Sequence, residues 1–578
     1  MYWRSYILKL KYFFPLLIYL SFIIIITLLF FQRYLWFIIP TFVFFYPIPY
    51  FFGIEETTKN KDVILKINNK SPFILPILFY LIPTIIMNFF FLFDDGIALF
   101  QFFMILLFGL IFYSIGILIL IRDLKKEFEA ELKSKKFDRL EGKKKLLLIN
   151  PVNQDKIGLT INPSSRFPPL GLAIIASLTP KDFQIKLIDE NFDKFEYEDA
   201  DIVGITAFTS VANRAYEIAT QYKKRNIPVI MGGIHASMMP DEALKYVDCV
   251  VIGEAESIWP TVINDYLNNN LKNKYEGVHL DLKNSVVPNR QIFNSKYLFG
   301  TIQTSRGCPM DCYFCSVSAF NGRKYRQRPY EEVLDELENI PQKYIFFVDD
   351  NILGYGKSAE ERAINLFKGM VERKLDKTWF CQASLNFGSN KEVLKWAGKA
   401  GCKMVFLGLE SADPEELKIM DKKLNLQLEY EKAFKNINRY KIAVLGAFIF
   451  GSDSETKEGM GRKVDYILKN QIDVIQTTIL TPLPGTRLFN DYQKNNRLIH
   501  ANFPQDWDIY DMGSLTYSIK KLENEEFLKT LKKCSRKLYS RRTLYLKFLK
   551  TWIHSKSIET ALWAYSSNKN YRNVSLSS

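Results

Sequence analysis

Between residue 13 and residue 121 apolar side chains crowd into long uncharged runs, whereas from residue 145 onward they come in short bursts separated by stretches where they recur every third or fourth place. The first pattern suits a chain surrounded by lipid, the second strands that alternate with amphipathic helices. Four uncharged runs, 13 to 31, 34 to 54, 73 to 93 and 97 to 121, predict transmembrane helices, because roughly 20 apolar residues cross a bilayer. Pro40, Pro47 and Pro49 fit a broken or re-entrant second segment as well as a full span. Arg4, Lys9 and Lys11 precede the first run, Lys59, Lys61, Lys66 and Lys70 follow the second, and Arg122, Lys125 and Lys126 follow the fourth. Only Asp94, Asp95 and Gly96 separate the third from the fourth. Positive charge held on one side predicts both termini in the cytoplasm, and no cleavage site follows the first run.

Residues 122 to 144 are dense in charge and read as a solvated linker. Beyond it, KLLLIN (145 to 150), FQIKLID (183 to 189), IVGITA (202 to 207), PVIMGG (228 to 233) and CVVIGE (249 to 254) predict buried strands of a doubly wound, Rossmann-like domain over 145 to 275. A second series, GTIQTS (300 to 305), KYIFFVDD (343 to 350), WFCQASL (379 to 385), KMVFLGLE (403 to 410), AVLGAFIFG (443 to 451) and VIQTTILTP (474 to 482), predicts a partial (β/α)6 barrel of TIM type over 295 to 510. Residues 511 to 578 read as a helical, basic segment. The expected class is therefore α/β, with four transmembrane helices ahead of two parallel-sheet domains and a helical tail.

Both sheets carry polar or small residues at the carboxyl ends of their strands, where ligands of such folds bind. In the first domain these are Thr206, Thr209, Ser210, Gly232, Gly233 and Gly253, the last followed by Glu254. In the second they are Asp349, Asp350, Asn351, Gln382, Ser384, Glu410, Ser411 and Thr481. Glycines there let a large flat or phosphorylated ligand approach the backbone. No GxGxxG opens the first helix, so a dinucleotide is not indicated.

Charge and cysteines change the picture further. The 77 Lys and Arg against 62 Asp and Glu leave a formal +15, which suits an anionic lipid surface or a nucleic acid. An odd count of 7 cysteines in a segment expected to face a reducing compartment argues against a disulfide framework. Three of them, Cys308, Cys312 and Cys315, fall in RGCPMDCYFC, in the loop after the first barrel strand. A structural zinc closes its shell with four ligands, and Cys381 and Cys402 belong to other units of the barrel. A 4Fe–4S cluster held by only three thiolates keeps one iron open, as a catalytic site requires.

The run TSRGCPMDCYFCSV, with its C-x3-C-x2-C spacing, resembles the radical SAM superfamily in its cobalamin (B12)-binding branch. The likeness extends over about residues 145 to 510 through PPLGLA, MGGIH, VIGEAE, FFVDDN, GLES, IFG and LTPLPGT, in that order. The resemblance implies that Cys308, Cys312 and Cys315 hold a 4Fe–4S cluster whose fourth iron binds S-adenosylmethionine, cleaved on reduction to a 5′-deoxyadenosyl radical. It implies that Asp350 and Asn351 meet the methionyl amino group and that Gln382, Ser384 and Glu410 meet the ribose or methionine. It also implies that Thr206, Thr209, Ser210, Gly232, Gly233 and Gly253 contact cobalamin. The branch's D-x-H-x-x-G motif is missing; the loop reads NPVNQDKIG (150 to 158), so no histidine from it reaches the cobalt. His235 either lines the site or is a hydrogen-bonded structural residue, and a domain that keeps the fold without the cofactor is the alternative.

Members of that branch methylate unactivated carbons, some of them in hopanoid lipids, or cyclise porphyrins. The expectation is a multi-pass inner-membrane enzyme with cytoplasmic catalytic domains that methylates a lipid or other small hydrophobic substrate, its barrel mouth held near the bilayer. A reducing partner such as flavodoxin or ferredoxin is implied. Cyclisation or carbon–carbon bond formation without cobalamin is the first alternative, and a non-catalytic membrane sensor is another. A tRNA methylthiotransferase fits poorly, because residues 122 to 300 contain only Cys249 where a second cluster would need three cysteines; no nucleic-acid partner is expected. Residues 529 to 554 interleave Lys and Arg with Leu, Tyr, Phe and Trp, which fits either an interfacial helix or a solvated one packed on the barrel.

Overall fold

The computed structural model describes residues 142 to 153 and 163 to 577. The four expected spans, most of the linker and most of the NPVNQDKIG loop lie outside these residues. Among the described residues no helix is long and apolar enough to cross a membrane.

The first domain is a wholly parallel sheet of β1 (Lys144–Asn150), β2 (Phe183–Asp189), β3 (Ile202–Thr206), β4 (Val229–Gly232), β5 (Cys249–Ile252) and β6 (Lys274–Glu276), in the order β2-β1-β3-β4-β5-β6. The sequence did not announce β6, three residues of which only Tyr275 is buried. Alternate side chains serve opposite faces. Leu147, Ile149, Val203 and Ile205 pack with α2 (Ala212–Lys223), while Leu146, Leu148 and Ile202 pack with α1 (Leu170–Leu178) and α4 (Trp259–Leu267). The short α3 (Ile234–Met238) follows β4. The strand order reverses between β1 and β3, and ligands of such sheets bind at the carboxyl ends around that point.

The second domain orders β7 (Phe299–Ile302), β10 (Tyr344–Phe347), β11 (Thr378–Ala383), β12 (Cys402–Glu410), β13 (Ala443–Phe450) and β14 (Val474–Ile479) as consecutive parallel neighbours, open between β7 and β14. A small ribbon of β8 (Ser305–Arg306) and β9 (Arg326–Gln327) flanks the cysteine loop. Here too the period of two sorts the side chains. Trp379, Cys381, Val405 and Leu407 face the surrounding helices, and Met404, Phe406, Leu445 and Val474 face the lumen.

Cys381 and Cys402 are thus core residues. The helices that wrap the outside are α6 (Tyr330–Glu338), α7 (Lys357–Glu372), α8 (Lys391–Lys399), α9 (Tyr430–Arg439) and α10 (Lys457–Lys469), with α5 (Ser316–Asn321) following the cysteine loop and α11 (Arg487–Lys494) following β14.

Three helices complete the chain: α12 (Asn524–Leu538), α13 (Arg541–Ser555) and α14 (Ile558–Ser577). The last lies along the open side of the barrel. Asn568 accepts from the Ile475 amide at 2.9 Å and donates to the Asp473 carbonyl at 2.8 Å, so it satisfies the edge of β14 as a further strand would. Trp563 of α14 stands 5.0 Å from the Phe380 ring and Ala564 packs on Met404 and Val474, giving the lumen an apolar floor.

Candidate functional site

The cysteine loop begins at Gly307, whose φ of +84° and close neighbours exclude any side chain, since an added Cβ would lie 2.4 Å from the Lys324 carbonyl. Backbone bonds fasten the loop to three places: Cys308 N to Gly322 O at 3.3 Å, Tyr313 N to Met420 O at 3.1 Å, and Leu488 N to Tyr313 O at 3.2 Å. Its base hangs on Asp349, fully buried, which accepts from the Thr304 amide at 2.7 Å, the Thr304 hydroxyl at 3.1 Å and the Ser305 hydroxyl at 3.0 Å, and from the Ser305 amide. Arg362 holds the same turn from outside, donating to Thr304 Oγ1 at 3.1 Å and to its carbonyl at 3.0 Å.

All three thiols are free, with Cys312 buried and the other two half-buried. Burial pushes them up, Cys312 to about 11, and the Lys422 ammonium works against it. Lys422 pairs with Glu410 at 2.7 Å. Burial alone would lower its pKa, but Glu410 and then Cys312 outweigh that and hold the lysine above its usual value. A cavity of about 150 Å³ opens beside Cys312, bounded by Pro309 to Asp311, Ser384 and Asp421 to Asn425.

Among the described residues no three His, Cys, Asp or Glu side chains, the three cysteines included, are grouped as the ligands of a single metal ion. Three soft thiols on one loop, within electrostatic reach of one another, with a cation behind them and a cavity in front, fit a cluster that presents one corner to a small ligand.

Around this loop the barrel gathers the other expected residues, in unequal readiness. Asp350 accepts from Asn321 Nδ2 at 2.9 Å and the Gly307 amide at 3.3 Å, both on Oδ2; burial lifts its carboxyl to about 6. Asn351 is buried and spent on Ser384, donating to its hydroxyl at 3.0 Å and accepting from its amide at 3.3 Å. Glu410, at φ +62°, is committed to Lys422. The Gln382 side chain has no bond to any described residue, and its carbonyl holds the Ile352 amide at 3.0 Å. Lys422 and Asp349 were not singled out from sequence as partners of the loop.

In the first domain Thr206, Thr209, Ser210, Gly232, Gly233 and Gly253 do stand at carboxyl strand ends, but the glycines serve different needs. Gly233 (φ +94°) and Gly253 (φ +75°) are required by the chain itself. Their added Cβ atoms would lie 2.7 Å from Thr206 Oγ1 and 2.8 Å from the Gly277 carbonyl. The backbone conformation alone requires glycine at both positions, independently of any ligand that approaches them. Gly232 is open, with nothing nearer than 3.9 Å, so it leaves room that a side chain would fill.

Asn153 Nδ2 reaches the Ser210 carbonyl at 3.5 Å, across the β1–β3 switch point. Phe208, missed in the sequence, stands 71% exposed just after β3. A bare aromatic ring beside an open glycine fits a broad, partly apolar macrocycle such as a corrin. His235 is fully buried on α3, bonded to Tyr216 OH at 3.0 Å and Glu242 at 3.3 Å, and is structural.

The two domains meet at Glu254, immediately after β5. Its carboxylate takes Arg326 Nη1 at 3.0 Å and a second bond from Nη2, and stands 3.3 Å from Arg306 Nη1; Arg306 and Arg326 face each other as a cross-strand pair of the ribbon that flanks the cysteine loop. Burial would raise this glutamate, yet the two guanidinium groups hold it below its usual range. Its stabilising effect is therefore full above the ordinary glutamate pKa and fades as the pH falls through the lower folded value. Replacing Glu254 with Ala should cost about 3 kcal/mol, because Arg326 is left buried without a carboxylate. Urea unfolding at neutral pH measures the loss, which should shrink at acid pH.

The comparisons agree with this geometry. The B12 binding domain family matches residues 157–263 and the Radical SAM superfamily matches residues 302–467. The bacteriochlorophyllide d C-12(1)-methyltransferase of Chlorobaculum tepidum is 32% identical over 415 residues, spanning 69% of this chain and 88% of that protein. The hopanoid C-2 methylase of Rhodopseudomonas palustris is 28% identical, over 58% and 66%. The structure of the radical S-adenosylmethionine methyltransferase TsrM from Kitasatospora setae, with cobalamin and a [4Fe-4S] cluster bound, has the same fold at a TM-score of 0.55 and 16% identity, covering 74% of this chain and 99% of that one.

Fold and site together define a radical SAM enzyme with a B12-binding domain. The chain belongs to the cobalamin-dependent radical SAM methyltransferases, whose cofactors are a 4Fe–4S cluster, S-adenosylmethionine and cobalamin.

Proposed function

We propose that this methyltransferase acts on an unactivated carbon of a lipid or other hydrophobic molecule, at the cytoplasmic side of a membrane entered by residues 1 to 121. The observation that carries this reading is the lumen wall. Below the polar rim of Asp350, Gln382 and Ser384, the inward positions are Phe346, Phe380, Met404 and Phe406. Phe346 and Phe380 stack at 4.3 Å, and Phe167, reaching in from the first domain and 40% exposed, stands 4.4 Å from Phe346. A partly open aromatic wall favours an apolar guest with few polar groups. The relatives named for bacteriochlorophyllide d and hopanoid methylation support the same reading.

When bound, the cluster supplies the electron that cleaves S-adenosylmethionine, and cobalamin supplies a methyl carrier. The chain's own part is positional. Asp349 and Arg362 fix the base of the cysteine loop, and Lys422 offsets thiolate charge. Asp350 Oδ1 and the Gln382 amide, neither engaged by a described residue, are the groups left to bind the methionyl or ribose part of S-adenosylmethionine. Glu254 ties the loop's ribbon to the corrin domain, and the apolar floor excludes water from the reacting carbon. A flavodoxin- or ferredoxin-type reductant completes the proposed set of partners.

Lipid extracts of cells with and without the protein, grown on methyl-deuterated methionine, test this. The expected result is one hydrophobic compound that gains a labelled methyl group only when the protein is present. A product that loses hydrogens without gaining label would replace methylation by cyclisation, and label found only in water-soluble compounds would refute the hydrophobic substrate.

A further inference from the structure

The helix α13 buries mainly polar side chains. Beside one apolar residue, Leu544, its buried side carries Lys547, Thr551 and Ser555. Lys547 donates to the Ile472 carbonyl, and Thr551 and His554 meet Asp473 at 2.6 and 2.7 Å. Its outward side carries Tyr545, Leu546, Trp552 and Ile553, the last 73% exposed, and Ile558 and Leu562 of the following α14 are exposed as well. Water does not favour this arrangement, since the apolar residues lie on the face that meets solvent.

Charge says what covers it. Arg541, Arg542, Lys550 and Lys556 are exposed on α13 and at its end, and from residue 541 to the last residue the one carboxylate is Glu559, which accepts from Tyr344 OH. Aromatic and aliphatic side chains in a segment rich in cations match the boundary between acyl chains and acidic headgroups.

We propose that this face docks on an anionic lipid surface. It lies beside Ile472 and Asp473, just before β14, and so belongs to the amino-terminal end of the barrel. Docking there puts the apolar floor formed with Trp563 on the bilayer side and the cysteine loop on the far side, the reverse of the orientation expected from sequence.

Full-length protein in lipid nanodiscs brominated high on the acyl chain tests this contact apart from any anchoring by residues 1 to 121. The Trp552 signal is the fluorescence difference between the native chain and Trp552→Phe. In discs rich in phosphatidylglycerol that difference should fall by roughly half, and in phosphatidylcholine discs by clearly less. The double variant Arg541→Glu, Lys550→Glu should lose the quenching while still forming 5′-deoxyadenosine.

An unquenched Trp552 in both discs overturns the proposal, whether the face is then bare or covered by an acidic protein or by residues 1 to 121. Equal quenching in the two discs overturns the role given to the cations. Methyl transfer is read separately, so either result leaves the proposed reaction standing.

Discussion

Cys312→Ala protein, purified and reconstituted without oxygen, should retain its fold and lose its iron–sulfur absorbance and bound iron to near background. Cys312 is the most buried of the three thiols and the one that borders the cavity. Two thiolates cannot fix three corners of a cuboidal cluster, and Cys381 and Cys402 are sealed in the core. The expected fall in S-adenosylmethionine cleavage is at least about 10³-fold, the scale on which removal of an essential group acts. Alanine fills most of the space without a buried polar group, so the far-ultraviolet spectrum and the urea midpoint should hardly move. Iron retained at the native ratio would show that this cysteine is not a ligand.

The second large effect is expected at Asp349. This carboxylate is the acceptor for two amides and two hydroxyls at the root of the loop, with no exposure to water. Asp349→Ala leaves those donors unpaired and removes the charge that faces buried Arg362, a loss of about 3–5 kcal/mol. Asp349→Asn keeps an acceptor oxygen and should lose less, about 1–3 kcal/mol. Urea unfolding of the two variants gives the comparison. If Asp349 positions the loop, cluster occupancy of the Asn variant should fall even where its fold survives; full occupancy in that variant would mean that the carboxylate serves stability alone.

Much of the architecture was legible because both sheets are buried on two sides, so their strands stand out as apolar runs ended by polar or small residues. GTIQTS reads as one strand, but β7 stops at Ile302 and Ser305 turns into the ribbon, since Thr304 and Ser305 are captured by Asp349. KYIFFVDD likewise leaves the sheet after Phe347, because the two aspartates are needed at the loop.

The cysteine trio was legible from spacing alone, whereas its electrostatic setting was not. Lys422 arrives from the segment after β12, and Glu254 meets Arg326 across 72 residues of sequence; ion pairs of that range leave no periodic trace. Phe208 could have been found, as one aromatic among the small residues that end β3. The basic tail showed its composition in sequence, but which side of α13 is buried depends on Asp473, contributed by another part of the chain.

The most direct test of the account is product analysis of the native protein, reconstituted with iron and sulfide and incubated anaerobically with S-adenosylmethionine and a strong reductant. The account predicts 5′-deoxyadenosine in amounts that track cluster content. A folded, cluster-loaded protein that leaves S-adenosylmethionine intact under these conditions, or a folded protein that takes up no iron at all, would contradict it.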